Sequence, residues 1–493
     1  MRKRYFLLAS FIILCIVYLF YRSCRRDTRV ISPVNRIAIP DSSWLYGSVN
    51  LYQIRKDIAW STLLNGDFNI FFQTDTTKNT FLKILRSPDD YAITDQRNIR
   101  YFSVWQDSLN YKGMLFALEN DAALKQSFKS DSFMLKQQKV YSFRTGEGIW
   151  FYNSNNLLFV SGSSDSLAAC RFFIATDRQN KAVHAPYEIT ADTMDIKYEE
   201  VLISAEINTS FIPAKMKNAW LDSTAMSVRV RRNDDMLDIA YVYKGFLTET
   251  LNESAVTNFN HKSAVFCTGN LDTHGIKKIL KKNPAWQKYY LEHKSGIEPL
   301  LAAVDSNNFQ IEFNGLKKIK SSYYTSVMND EFEMVLQKKD STIDEPVFRI
   351  SLEQKNAVAA QVLLKHLQKY GLVSKGKQQP FHVIYGNFDS ELTQDKNNTF
   401  IVHNKHTSQW IHTSGPEPLD AALLLIIQPS LFQNFSASDL PASLVFLKNI
   451  TYKKIKMVSL HVTKQQTSLT GNMNIEFAGG NHPLIALMQL VKK

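Results

Sequence analysis

Apolar and polar residues alternate with a period of two over much of this chain. "IRYFSVW" (residues 99–105) and "KGMLFAL" (112–118) read as neighbouring strands. "KVYSFRTGEGIWFYNSNNLLFVSG" (139–162) reads as three more, with turns at Gly146–Gly148 and Asn153–Asn156. Two stretches switch to helical spacing. In "SSDSLAACRFFIAT" a Ser/Asp group offers N-caps, and Leu167, Cys170, Arg171 and Ile174 follow on one face. In "NAVAAQVLLKHLQKYG" Asn356 is the expected N-cap and Gly371 the expected stop, with Ala359, Leu363, Leu367 and Tyr370 in line. This helix follows the strands "EFEMVLQ" and "VFRISLE" and precedes "FHVIYGNF". Strand blocks punctuated by single helices predict an antiparallel-rich α+β fold.

One segment breaks the alternation. Tyr5 to Tyr21 is uncharged, and Ser10 is its one strongly polar residue. Seventeen residues is the short end of the range for a membrane-spanning helix, and Tyr5, Tyr18 and Tyr21 sit near its ends, where aromatic side chains favour the interface. A cleavable signal peptide needs small residues after the apolar core, whereas Tyr21-Arg22-Ser23-Cys24-Arg25-Arg26 is bulky and basic. Lipid attachment at Cys15 or Cys24 lacks suitable neighbours. The expectation is an uncleaved signal anchor. Arg2, Lys3 and Arg4 on one side nearly balance Arg22, Arg25, Arg26 and Arg29 on the other, so the positive-inside rule decides little. We expect the N-terminus in the cytoplasm and the bulk of the chain in the periplasm.

The chain also echoes itself. "SSWLYGSVNLYQIRKDI" (42–58) resembles "KSAVFCTGNLDTHGIKKIL" (262–280): an apolar strand, a Gly, an Asn-Leu pair and a basic helix start. "SVRVRRNDDMLDIAYVYKG" (227–245) resembles "SLHVTKQQTSLTGNMNIEFAG" (459–479), both hairpin-like. These echoes predict two similar lobes. The organisation expected is an anchor with basic flanks at 1–26, a linker at 27–36, a first α+β lobe at 37–252 and a second at 253–493.

"IAIPDSSWLYGSVNL" just after the anchor, "NLLFVSGSSDSLAAC" and the terminal "GNMNIEFAGGNHPLIALMQLV" resemble uncharacterised membrane-anchored envelope families of Bacteroidetes-type bacteria. The resemblance implies a long, singly anchored envelope protein with strand–Ser/Asp–helix units. It carries no activity with it. The chain departs from the lipidated members by lacking a good attachment cysteine.

Composition narrows the functional classes. Of the +12 net charge, residues 1–36 hold +7, from eight Arg/Lys and Asp27, which leaves +5 for the other 457 residues. The excess is a membrane-flank feature and gives no support to nucleic-acid binding. Cys15, Cys24, Cys170 and Cys267 form no CxxC pair.

The chemical motifs fail on context. "GLVSKGKQ" (371–378) fits the glycine-lysine spacing of a phosphate loop, but Gln378 stands where Ser or Thr holds Mg²⁺. A helix also precedes it, where a strand should. His403, His406 and His412 in "HNKHTSQWIH" lack the spacing of a metal site, and Lys405 opposes a cation. Asp89-Asp90, Glu199-Glu200 and Asp234-Asp235 are sequence neighbours that point apart on a strand, so none is a ready acid/base pair; "SPDDY" reads as a turn or a helix start and "RRNDDM" as a hairpin turn. No G-x-S-x-G or H-E-x-x-H occurs. The basic, aromatic "GIKKILKKNPAWQKYYLEHK" (275–294) suits anionic headgroups or an acidic polymer, or two helices split at Pro284 with aromatics in the core. From Lys448 onward seven lysines face Glu476 alone, a second basic surface or a set of guarded strand edges.

The functional expectation is a non-enzymatic, membrane-anchored envelope protein that binds a protein, glycan or lipid partner in a cleft or surface formed by its lobes. The alternative is an envelope hydrolase with a site assembled from distant residues. No catalytic, cofactor-binding or metal-ligating residue is singled out, and no cofactor is expected.

Overall fold

The computed structural model describes most of residues 42–56, 80–161, 201–252, 264–404, 421–428 and 455–478. The expected anchor at 5–21, the linker at 27–36 and the expected helix at 163–176 lie outside these residues. The chain divides into two compact units, the first built mainly of residues 1–191 and 196–216, the second mainly of 217–228 and 232–493.

The first unit is an antiparallel sheet. Its strands are β1 (Ser43–Val49), β2 (Ile99–Gln106), β3 (Leu109–Ala117), β4 (Asp131–Leu135), β5 (Gln138–Arg144), β6 (Ile149–Tyr152), β7 (Asn156–Ser161) and β8 (Ile203–Asn208). The pairings give the order β4-β5-β6-β7-β3-β2-β1-β8. Both faces are buried. On one, Phe102, Val104, Leu115, Phe151 and Leu158 form a core. On the other, Phe116, Phe143, Trp150, Tyr152 and Leu157 pack with Ile84 of helix α1 (Thr80–Arg86) and Leu124 of α2 (Ala122–Ser127). Trp150 is fully buried and stacks on Phe143 with the planes 3° apart. Each residue of β6 is buried, as its unbroken apolar sequence IWFY dictates for a strand covered on both sides.

The second unit comprises β9 (Ala225–Asn233), β10 (Met236–Lys244), β11 (Val265–Asn270), β12 (Asn308–Met328), β13 (Met334–Leu352), β14 (Phe381–Val383), β15 (Ser390–Gln394), β16 (Phe400–Asn404), β17 (Leu423–Ile427), β18 (Ile455–Gln465) and β19 (Ser468–Phe477). Residues 229–231 of β9 cluster with the first unit. The antiparallel order is β14-β15-β16-β13-β12-β11-β17-β18-β19-β10-β9. Helices α3 (Thr273–Lys282), α4 (Pro284–Glu292) and α5 (Lys294–Val304) lie between β11 and β12. Helix α6 (Ala357–Lys369) lies between β13 and β14, and its Ala360 and Leu363 cover Phe381, Leu392 and Phe400.

The strand orders correspond. β5-β6-β7-β3-β2-β1-β8 has the same connectivity as β14-β15-β16-β13-β12-β11-β17. Gly47 of β1 and Gly269 of β11 occupy matching places, each opposite an aromatic residue on the next strand, Tyr101 and Phe309. A Cβ on Gly47 would stand 1.9 Å from the Ser204 carbonyl oxygen and 2.7 Å from the Tyr101 hydroxyl. Only hydrogen fits there, because Tyr101 reaches across the glycine to donate to Ser204 O at 2.8 Å. Burial, with Glu206 nearby, pushes the Tyr46 and Tyr101 phenols up to about 12.

The expected α+β class is corrected to a predominantly β fold. The helices given ranges above are only 6–13 residues long, while β12 and β13 run to 21 and 19 residues. "EFEMVLQ" and "VFRISLE" predicted two strands, whereas one strand runs from Met334 to Leu352. The polar stretch between them, with Pro346, hid that continuity. The fold class also included an N-terminal transmembrane helix. Among the described residues no helix is long and apolar enough to cross a membrane.

Candidate binding surface

Helix α3 starts where Asp272 turns back on the chain, its carboxylate accepting from the His274 and Gly275 amides at 2.9 and 3.2 Å. Gly275 lets the helix press onto the Glu249 carbonyl, which a Cβ would meet at 1.7 Å. This seats α3 and leaves Lys278, Lys281 and Lys282 exposed. Pro284 opens α4, a position where its missing N–H costs nothing. Of the two adjacent tyrosines, Tyr290 is fully buried and donates to Glu298 Oε1 of α5 at 2.7 Å. Tyr289 points out, 52% exposed, and Leu291 is 60% exposed.

Residues 273–304 carry six lysines against Glu292 and Glu298, a net of +4. Lys278 pairs with Glu249 at 2.7 Å and Lys288 reaches Glu292 at 4.0 Å, pairs that solvent screens. The result is a cationic helical segment from which Tyr289 and Leu291, two residues apart on α4, project in different directions. The two readings of this stretch are thus divided between its tyrosines: Tyr290 went to the core and Tyr289 to water.

A second constellation lies on the sheet of the same unit. Cross-strand register places Glu312 opposite Arg349, Arg349 opposite His403, His403 opposite Glu391 and Glu391 opposite His382. Directly opposed residues share a face, so these five form one row across β12, β13, β16, β15 and β14. The neighbouring row, Leu392 and Val402, packs under α6 on the other face. Burial deepens along the row, from exposed His382 to Glu312 at 4% exposure. Only His403 stood out in the sequence; its companions come from four other strands, and no local spacing reports them.

The remaining sequence candidates fall as follows. His406 and His412 lie outside the described residues, as do Glu199, Glu200, Asp234 and Trp286's side chain. Among the described residues no group of three or more His, Cys, Asp or Glu is placed to hold a metal ion. Asp89 lies in the helical turn Pro88–Tyr91 and accepts from Gln96 Nε2 at 2.7 Å, with Arg55 at 3.8 Å. Arg55 also donates to Gln96 at 2.8 Å, so the Asp-Asp pair serves a turn. Burial lowers the Arg55 guanidinium's proton affinity, against the pull of Asp89 and Asp90. Gly371 takes φ +68° after α6, and its amide bonds to Gln368 O. The chain continues to a bridge at Val373 and then β14, so helix precedes strand here. Lys456 of the C-terminal basic region pairs with Glu476 across β18 and β19. Cys267 is free, and burial pushes its thiol up to about 11.

No family model matches the chain. No curated protein matches it either. Among solved structures it is similar to TP0453: crystal form IV at 11% identity over 44% of this chain and 83% of that chain, with a TM-score of 0.26. Crystal form III matches at 10% identity over 46% and 90%, also with a TM-score of 0.26. These scores are too low to establish a common fold.

Proposed function

We propose that this protein is a membrane-anchored envelope protein of two similar lobes that works by binding, with residues 5–21 holding it at the inner membrane and the bulk of the chain in the periplasm. The observation that carries the binding role is the α3–α5 segment, where exposed Tyr289, its ring stacked on His293, and exposed Leu291 accompany exposed Lys281, Lys282, Lys288 and Lys294 along successive helices. An aromatic and an aliphatic side chain within a lysine cluster suit the interfacial zone of an anionic bilayer, where the ring enters the headgroup layer and the ammonium groups meet phosphates. In this reading the anchor supplies proximity and the surface sets how the second lobe meets the membrane.

The test uses the full chain reconstituted in vesicles, with a Tyr289→Cys variant carrying an environment-sensitive fluorophore. The expected result is a blue shift in vesicles containing anionic lipid, absent in zwitterionic vesicles and reversed by high salt. Equal emission in both vesicle types would refute the surface's role.

A second reading, an envelope hydrolase, draws on His403 lying opposite Glu391 and Arg349. Hydrolysis of a fluorogenic ester, glycoside or peptide that is lost in both His403→Ala and Glu391→Gln would favour it.

A further inference from the structure

β12 and β13 stay paired from Phe309 with Leu352 to Met328 with Met334. Among the described residues, other strands reach only the base of this hairpin: β11 pairs as far as Phe313, and β16 pairs with Arg349 to Leu352. Among the described residues, 315–328 and 334–347 therefore form a two-stranded ribbon with both edges open, about 45 Å long at the usual rise per residue. An isolated two-stranded ribbon is marginal in water, and an open edge of this length is a template for another strand.

We infer that the outer edge of β13 pairs with the same edge of a second copy of this chain, antiparallel and centred on Ser341. The argument is one of register. A two-fold axis normal to the ribbon pairs residues whose numbers differ by an even count, so each possible centre can be checked against the charges. Centres at Lys338, Lys339 or Asp340 put a like charge on itself. A centre at Thr342 puts Asp340 opposite Asp344, centres at Asp344 or Glu345 put an acid on itself, and a centre at Ile343 opposes no charge to another and so gains no ion pair. A centre at Ser341 puts Lys338 opposite Asp344 of the second copy, twice by symmetry, with no like charges opposed. Gln337 then faces Glu345, Lys339 faces Ile343, and Asp340 faces Thr342. Pro346, which has no N–H, ends the ladder.

β12 favours closure at two copies. From residue 315 to 328 it carries Lys317, Lys318 and Lys320 and no acidic residue. In the four-stranded assembly β12 becomes the outer strand on both sides, and its lysines guard against further addition. This inference stands apart from the proposed membrane contact, which uses other elements.

The test uses the full chain in detergent with its native cysteines replaced by serine. Ser341→Cys is expected to form an intermolecular disulfide on mild oxidation, since directly opposed residues lie about 4.5–5.5 Å apart at Cα. Ser321→Cys, on β12 opposite Ser341, is expected to stay uncrosslinked. K338D and D344K each place like charges opposite and should weaken self-association about tenfold or more. Mixed together, they should recover it as a heterodimer, because both opposed pairs again carry opposite charge. Circular dichroism of each variant checks that the fold is kept. A monomer in sedimentation, equal crosslinking at 321 and 341, or no recovery on mixing would overturn the inference.

Discussion

Gly47→Ala makes the close packing of the first unit measurable. The added Cβ would stand 1.9 Å from the Ser204 carbonyl oxygen, against ordinary contacts of 3.4 Å or more, so about 1.5 Å of separation is required (3.4 less 1.9). The clash is with backbone on the neighbouring strand, so no rotamer relieves it. Overpacking of this kind costs about 1–3 kcal/mol. Displacing Tyr101 from Ser204 O loses about 1 kcal/mol more. The stiffer unfolded chain of alanine returns about 0.4–1 kcal/mol. The net loss expected is about 2–3 kcal/mol. At a slope of about 2 kcal/mol per molar urea, the first unit's midpoint falls by about 1–1.5 M. Gly269→Ala needs only about 0.6 Å (3.4 less 2.8) and should cost less. Gly146→Ala meets nothing within 4 Å and should lie near wild type. Urea unfolding followed by tryptophan fluorescence and far-UV circular dichroism gives all three. An order other than Gly47, Gly269, Gly146, or a Gly47→Ala midpoint equal to wild type, would refute the argument.

Three further outcomes are expected. Tyr46 and Tyr101 hold their protons more tightly folded than unfolded, so their contribution is intact below pH 10 and is lost as pH rises toward about 12; urea midpoints across this window should fall, and more gently in Tyr101→Phe. Trp150→Ala should cost about 3–5 kcal/mol in chemical denaturation, since it empties a fully buried aromatic site. A cysteine at Thr28, in a chain lacking the native four, should react in intact cells with a membrane-impermeant thiol reagent admitted to the periplasm; reaction only after lysis would reverse the proposed orientation.

Much of the first sheet was legible in the sequence because its strands alternate. "IRYFSVW" and "KGMLFAL" fall within β2 and along β3, and the three strands read at 139–162 are β5, β6 and β7. The helix read at 356–371 is α6, ended by Gly371 at positive φ. Its buried residues are Ala360 and Leu363, with Leu367 packed against the same core, so Leu363 and Leu367 of the expected line face the sheet while Ala360 takes the place expected of Ala359. The excess of β structure was illegible for a physical reason. Strand periodicity shows where one face is buried, and the stretch from Lys317 to Glu345 carries Lys317, Lys318, Lys320, Lys338, Lys339, Asp340 and Asp344, so its sequence offers no sustained apolar alternation. The row from Glu312 to His382 was equally silent, since cross-strand neighbours are set by register among strands far apart in sequence. Only His403 offered a signal, and its local spacing pointed to nothing.

A hairpin can lengthen at its tip, two residues at a time, without moving any pair beneath it. Phe309 still meets Leu352 whether the strands above them run for five residues or twenty. β2 and β3 end after 8 and 9 residues, while β12 and β13 run to 21 and 19. Length at this place is therefore a trait that can drift or be selected independently of the rest of the fold. In proteins of this architecture the reach of that arm should vary far more than the sheet from which it projects.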